Sequence, residues 1–313
     1  MNILLDPAIL FFIVGILAGL VRSNLEVPEQ ISKFLSLYLL MALGLKGGFA
    51  LAKDGFTNEI ISSVLVGVTL AIVIPIAGYF FLKRFLAGLD AIAVAATYGS
   101  VSAVTFVTAT QYLSTAGINY NGFMSAVMTI MEIPAILIAV LVSAKLRNNS
   151  AISFPKVLHE SFTDGANILL LAALVIGIVT GSTGETIMKP FTGDLFKGLL
   201  AFFLLDMGLQ VARRIPELRG KNPVLLVYAI GSPLIHSLLA LVLCIGVSIG
   251  LGNTILLMVL SASASYIAVP AVIKHAIPEA NPSIYFGLSL GLTFPFNVLV
   301  GIPLYTEIAQ RFM

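Results

Sequence analysis

The sequence predicts an all-α integral membrane protein: ten transmembrane helices in a 5+5 inverted repeat, with a fourth and a ninth helix that break and cross. Three observations predict it. Of 313 residues, 58% are apolar and 10% charged, with a mean hydropathy of +1.04, whereas a soluble domain carries about 25% charged residues. Two long apolar runs are interrupted by small polar residues, at Tyr98-Gly99-Ser100-Val101-Ser102-Ala103-Val104-Thr105 and at Ser261-Ala262-Ser263-Ala264-Ser265. Each half of the chain holds an odd number of apolar runs, which puts the halves in opposite orientations.

Runs of about 17–25 apolar residues are long enough to cross a bilayer. Ten are present, near 7–22, 31–52, 58–82, 89–114, 120–144, 166–182, 190–212, 223–249, 254–276 and 283–307. The first, second and sixth are short or interrupted by glycine, so their ends are the least defined. No basic residue precedes the first run, which therefore reads as a span and not as a secretory signal. Residues 1–144 form the first repeat, 145–165 a cytoplasmic loop and 166–313 the second repeat. With the N-terminus outside, twelve Lys and Arg fall in cytoplasmic joints and five on the outer side. The positive-inside bias then places both termini outside.

The two halves echo each other. Leu43-Gly44-Leu45 recurs as Met207-Gly208-Leu209 at an offset of 164, and Ser100 and Ser102 recur as Ser263 and Ser265 at 163. Asn121 precedes Pro134 by thirteen residues, and Asn281 precedes Pro295 by fourteen. The nearly constant offset carries more weight than any one match.

Unpaired polar groups in hydrocarbon each cost several kcal/mol, roughly, so the two polar clusters need a use. Two broken helices at corresponding places point to the binding site of a secondary transporter. Each break exposes a half-helix N-terminus, whose free N–H groups and partial positive charge attract an anion. It also exposes C-terminal carbonyls that suit a cation. Ser102 and Ser265 are placed to cap the second half-helices, with Thr105 and Pro270 in their early turns. Gly99, Ser100, Ser102, Thr105, Ser263, Ser265 and Tyr266 are therefore candidate substrate-binding residues. Ser102, Ser263, Glu132 and Asn297 are candidates for a cation. Small residues that only permit close helix packing are the bland alternative, which explains clustered hydroxyls poorly.

Ionisable residues inside spans are functional candidates by default. Glu132 reads as a site residue or a structural carboxylate. Lys46 and Asp206 read as an ion pair or as path-lining groups, and His236 as an interhelical donor. Asn297 reads as a polar neighbour of the site or as helix glue. A Walker-type loop, an HExxH helix and a G-x-S-x-G elbow are all absent, against ATP use in this chain, metalloprotease and serine-hydrolase chemistry. No enzyme, cofactor or nucleic-acid role is expected. The single cysteine, Cys244, lies in an apolar run and reads as a small buried hydrophobe.

At these motifs the chain resembles the sodium-dependent bicarbonate transporters of the cyanobacterial type, over most of its length. The resemblance is carried by Val27-Pro28-Glu29-x-Ile31-Ser32, Gly44-Leu45-x-Gly47-Gly48, Phe196-Lys197-Gly198-Leu199-Leu200 through Met207-Gly208, Arg214-Ile215-x-Glu217-Leu218-Arg219 and Ile277-Pro278-x-Ala280-Asn281-Pro282-Ser283. Met131-Glu132-Ile133-Pro134 is similar to the family's Met-Asp-Ile-Pro. The resemblance implies a homotrimeric elevator in the bacterial plasma (inner) membrane, with Na+ and bicarbonate held at the two breaks. It implies a core of spans 3–5 and 8–10 moving against a gate of spans 1, 2, 6 and 7, with glycines 44, 47 and 48 as a close sliding surface. Gly99, Val101, Ser102 and Thr105 match the family's first break, and Ser263, Ser265 and Pro270 its second. Where the family reads Ser-Ser-Ser-Asp-Ile-Ser-Gly-Pro, this chain reads Ser263-Ala264-Ser265-Tyr266-Ile267-Ala268-Val269-Pro270. Tyr266 thus replaces a carboxylate, which predicts weaker Na+ dependence. The short central loop weakens the case for the family's PII-like regulatory partner.

The sequence therefore reads as a carrier of bicarbonate driven by Na+. The alternatives are the same scaffold carrying another small anion or carboxylate, and an anion-binding membrane sensor that does not transport.

Overall fold

The computed structural model describes residues 6–55, 57–147 and 165–313. Helices are the only regular secondary structure among these residues, with no strand. The central loop expected at 145–165 lies mostly outside the described residues. Seven helical stretches are long and apolar enough to cross a membrane, and two shorter apolar helices accompany them.

Helix α1 (Pro7–Leu20) begins where Asp6 accepts the Ala8 N–H at 2.9 Å and Pro7 takes the first turn. Helix α2 (Glu29–Asp54) follows Pro28 and stops at Gly55, whose φ of 73° suits glycine. Then come α3 (Asn58–Leu82), α4 (Gly88–Gly99), α5 (Ala103–Ala116) and α6 (Met124–Leu146). Helices α4 and α5 together match the run expected at 89–114.

Past the central loop, α7 (Gly165–Lys189) passes through a π turn at Pro190–Asp194 into α8 (Leu195–Arg214). The path folds back on itself within α7. A Cβ on Gly44 would meet Leu170 and Ala173, and one on Gly48 would meet Leu174 and Gly177, so the first part of α7 runs parallel to α2. Beyond that, Gly184 faces Phe49 and Phe191 packs on Tyr38, so the chain now runs the other way. The reversal sits at Gly181, whose φ of 52° and ψ of −140° favour a residue without Cβ.

The remaining helices are α9 (Pro223–Gly246), α10 (Leu251–Ala262), α11 (Ala268–Ala276) and α12 (Pro282–Phe312). Helix α12 widens into π turns at Ser289–Thr293 and Asn297–Gly301, a geometry common at functional sites.

Two packing groups emerge. Helix α1 lies along α8, and α2 lies along the first part of α7. Glycine permits both approaches: a Cβ on Gly208 would sit 2.2 Å from the Phe12 carbonyl oxygen, and one on Gly48 would sit 2.2 Å from that of Leu174. Such contacts substitute for the hydrophobic drive that lipid removes. Of the three glycines expected to form a sliding surface, Gly44 and Gly48 face α7, and Gly47 faces Gly122 and Ser125. In the second group, α3 packs on α4 and α6, and α9 on α10. Helices α4 and α10 are its centre: residues Ala91 to Gly99 and Gly252 to Ala262 are all buried.

Candidate functional site

Both expected breaks are present. Helix α4 ends at Gly99, where only glycine fits: a Cβ would lie 2.5 Å from the ring carbons of Pro75. Ser100 is extended, and Ser102 caps α5 by accepting the Thr105 N–H at 3.2 Å. Helix α10 ends at Ala262, Ser263 is extended, and α11 starts at Ala268. Pro270 falls in the first turn of α11, where its missing N–H costs little. Ser265 is not the capping residue as expected; Ile267 holds that position. The Ser265 hydroxyl still accepts an α11 N–H, that of Val269 at 3.2 Å.

The breaks bond to each other. The Ser102 N–H donates to the Ser263 hydroxyl at 2.9 Å, and the Ser265 N–H donates to the Thr97 carbonyl at 2.8 Å. The Ser263 hydroxyl in turn donates to the Leu260 carbonyl at 2.7 Å. The Ser100 hydroxyl is 1% exposed and has no hydrogen-bond partner among the described residues. A buried unpaired hydroxyl costs about 1–3 kcal/mol, so its presence beside two helix N-termini favours a ligand there.

Tyr266 reaches from the second break to the first. Its ring stands edge-on to Phe294 at 5.3 Å, its hydroxyl points at the Met207 sulfur at 3.8 Å, and the Ser102 hydroxyl is within hydrogen-bonding reach. Asn297 supports the second break from behind. Its amide donates to the Ala262 carbonyl at 2.8 Å, and its oxygen accepts from Tyr305 at 2.9 Å. Glu132 is buried on α6, 6% exposed.

One expectation about other polar residues is corrected. Lys46 and Asp206 are not an ion pair. Lys46 lies over the Phe196 ring at 3.9 Å, while Asp206 accepts from Ser32 and from Gln210. His236 on α9 is an interhelical donor as expected: its imidazole bonds to the Ser261 backbone on α10, and its own backbone carbonyl accepts from the Ser261 hydroxyl at 3.2 Å. Its Nδ1 has no partner among the described residues.

Arg147 donates to the Ala276 carbonyl at 2.9 Å and pairs with Glu279, closing the end of α11. A bond from its own backbone N–H and the Arg147 guanidinium hold the Glu279 carboxyl below the usual carboxylate range.

A profile of the Na+-dependent bicarbonate transporter superfamily matches residues 7–310, nearly the whole chain. The chain belongs to that superfamily. A comparison with curated proteins found no match. As a member of a transporter superfamily built from apolar helices, it is a multi-pass membrane protein.

Within this superfamily member, sequence reasoning missed how the crossing helices are anchored. The Asp90 carboxylate, early in α4, accepts the Asn281 N–H at 2.7 Å. Asn253, early in α10, accepts the Asn121 N–H at 2.9 Å and donates to the Asn121 oxygen at 2.7 Å and to Glu59 at 2.9 Å. Asp90 and Asn253 are 163 positions apart, the offset that relates the serines, so the signal was there to be found. Asn253→Ala should strip three bonds from a residue 2% exposed. The expected cost is about 1–3 kcal/mol, read as a lower melting midpoint in detergent. An unchanged midpoint would mean the anchor bears no load.

Proposed function

We propose that the chain is a secondary active transporter that takes up bicarbonate with Na+ across the bacterial inner membrane, by an elevator motion of its crossing helices. The observation that carries this reading is the mutual bonding of the two breaks, Ser102 to Ser263 and Ser265 to Thr97. It brings the N-terminal ends of α5 and α11 to one place, next to the unpaired Ser100 hydroxyl. A small anion fits between two such ends without a lysine or arginine, and none lies in either break. Gly99, Ser100, Ser102, Thr105, Ser263, Ser265 and Tyr266 form the anion site in this reading. Ser102, Ser263, Glu132 and Asn297 are the groups offered to Na+.

Ten passes in an inverted repeat are supported by the Gly181 reversal. The stretch Ile168–Leu218 is 51 residues long, about 77 Å as one straight helix, more than twice a hydrocarbon core of about 30 Å. Counted as two passes and joined by the short helices α1 and α10, it brings the total to ten. The matched anchors at Asp90 and Asn253 support the internal symmetry. The α1–α8 and α2–α7 pairs are the gate in this reading, and α3–α6 with α9–α12 the moving core. The basic-residue bias supports both termini outside, and we extend the reading to a homotrimer on the resemblance alone.

Radiolabelled bicarbonate uptake into proteoliposomes, with and without a Na+ gradient, tests the reading. Ser102→Ala and Ser265→Ala should each weaken anion binding about five-fold, because each hydroxyl accepts an N–H from the first turn of a half-helix and such a bond is worth about 1 kcal/mol, in protein that still inserts. Wild-type uptake in both variants would reduce these hydroxyls to packing groups. Tyr266, in place of the family's carboxylate, favours a second reading in which another small anion is carried; competition by unlabelled anions separates the two. Absence of counter-flow would leave a membrane sensor.

A further inference from the structure

A cavity of about 270 Å³ opens along the seam between the two packing groups. Ala8 and Ile9 of α1 and Leu200 and Leu204 of α8 form one wall. The other wall is polar: Thr108, Gln111, Tyr112 and Thr115 on α5, with Thr306 and Gln310 at the end of α12. Asp6 at the mouth is engaged as the α1 cap. Four of the six residues of the polar wall lie on the helix that Ser102 caps, and Thr108 lies six residues beyond Ser102, about 9 Å along the axis.

Past the lining residues a series of aromatic contacts leads toward the breaks. Phe12 lies three and four residues past Ile9 and Ala8, on the same face of α1. It meets Phe294 edge-on at 5.4 Å, and Phe294 meets Tyr266, the residue that reaches Ser102. Toward the other membrane face the seam is shut. Arg214 lies over the Phe286 ring at 4.9 Å, and Leu218 and Glu217 pack against Gly287.

We propose that this cavity is the port by which a hydrated small anion reaches the crossing, with Phe12, Phe294 and Tyr266 as the barrier between port and site. This rests on the transport reading above. Hydroxyls and amides solvate an anion without trapping it, as conduction requires; a basic side chain would hold it at the mouth. The structure is then the state open to the face that carries Arg311 and closed to the face that carries Lys145.

Single-cysteine labelling tests the port. Cys244 is the only cysteine and is buried, so Cys244→Ser gives a blank background. Thr108→Cys and Gln111→Cys are placed in the cavity, with Arg311→Cys and Lys145→Cys marking the two faces. Sealed vesicles of either orientation are treated with a membrane-impermeant thiol reagent. Both cavity cysteines should label from the Arg311 face only, and labelling should cut bicarbonate uptake to background. Labelling from the Lys145 face, or no labelling in variants that elute as folded protein and still take up bicarbonate, would overturn the port. Failure of uptake in the unlabelled Cys244→Ser parent would sink the transport reading instead, and it is measured separately from labelling.

Discussion

A disulfide between Glu217→Cys and Gly287→Cys should stop transport outright. A Cβ on Gly287 would lie 3.6 Å from the Cβ of Glu217, and one on Gly291 would lie 3.6 Å from that of Arg214. Disulfides form across Cβ separations of about 3.5–4.5 Å, so either pair can close with little backbone movement. Glu217 and Arg214 belong to the α8 side of the seam, and Gly287 and Gly291 to α12. An elevator has to slide these surfaces past each other, and a covalent bond between them holds it in one state. In a Cys244→Ser background the cross-linked protein should take up no bicarbonate, and a reductant should restore uptake. The Glu217→Ser/Gly287→Ser control should transport throughout. Full uptake in completely cross-linked protein would place the moving boundary elsewhere and contradict the division into gate and core.

The helices were legible because each buries or faces lipid along its length, so hydropathy alone marks them. The span expected at 58–82 is α3 residue for residue. The two breaks were legible for the opposite reason: serine and glycine in mid-membrane stand out against an apolar background. Hydrogen bonding between the breaks was not legible, because the Thr97 carbonyl and the Ser102 and Ser265 N–H groups are backbone and leave no mark in the sequence. Of the two readings of Lys46 and Asp206, the ion pair fails, because opposite charges in the sequence do not fix which groups meet. The nearer partners turned out to be an aromatic face for one and a hydroxyl and an amide for the other. Close approach at Gly44 and Gly48 is legible from the glycines themselves, but the helix they face, α7, is not, because it lies more than 120 residues away in the sequence.

Tyr266→Asp should strengthen the Na+ dependence of uptake, and the gain should grow from mildly acidic to mildly alkaline pH. The wild-type phenol is buried against Phe294 and Met207 beside the Ser102 hydroxyl. It offers a cation a neutral oxygen and fills the space between the two breaks with a ring. Aspartate is smaller and, once ionised, brings negative charge next to Ser102 and Ser263, both already candidates for the ion. A carboxylate attracts Na+ only when it has lost its proton, so the effect rises with pH, whereas a neutral phenol gives the wild type no such slope. The substitution has a structural cost. Removing a buried aromatic side chain typically costs about 3–5 kcal/mol, so Tyr266→Phe serves as the companion: it keeps the ring, loses only the hydroxyl, and should leave Na+ dependence near the wild-type level. Both variants are compared with wild type by uptake at fixed bicarbonate and graded Na+, after each has been shown to elute as folded protein. Strong Na+ coupling in the wild type that Tyr266→Asp abolishes and Tyr266→Phe preserves would refute the argument. It would move the cation away from the second break, with Glu132 on α6 the next residue to substitute.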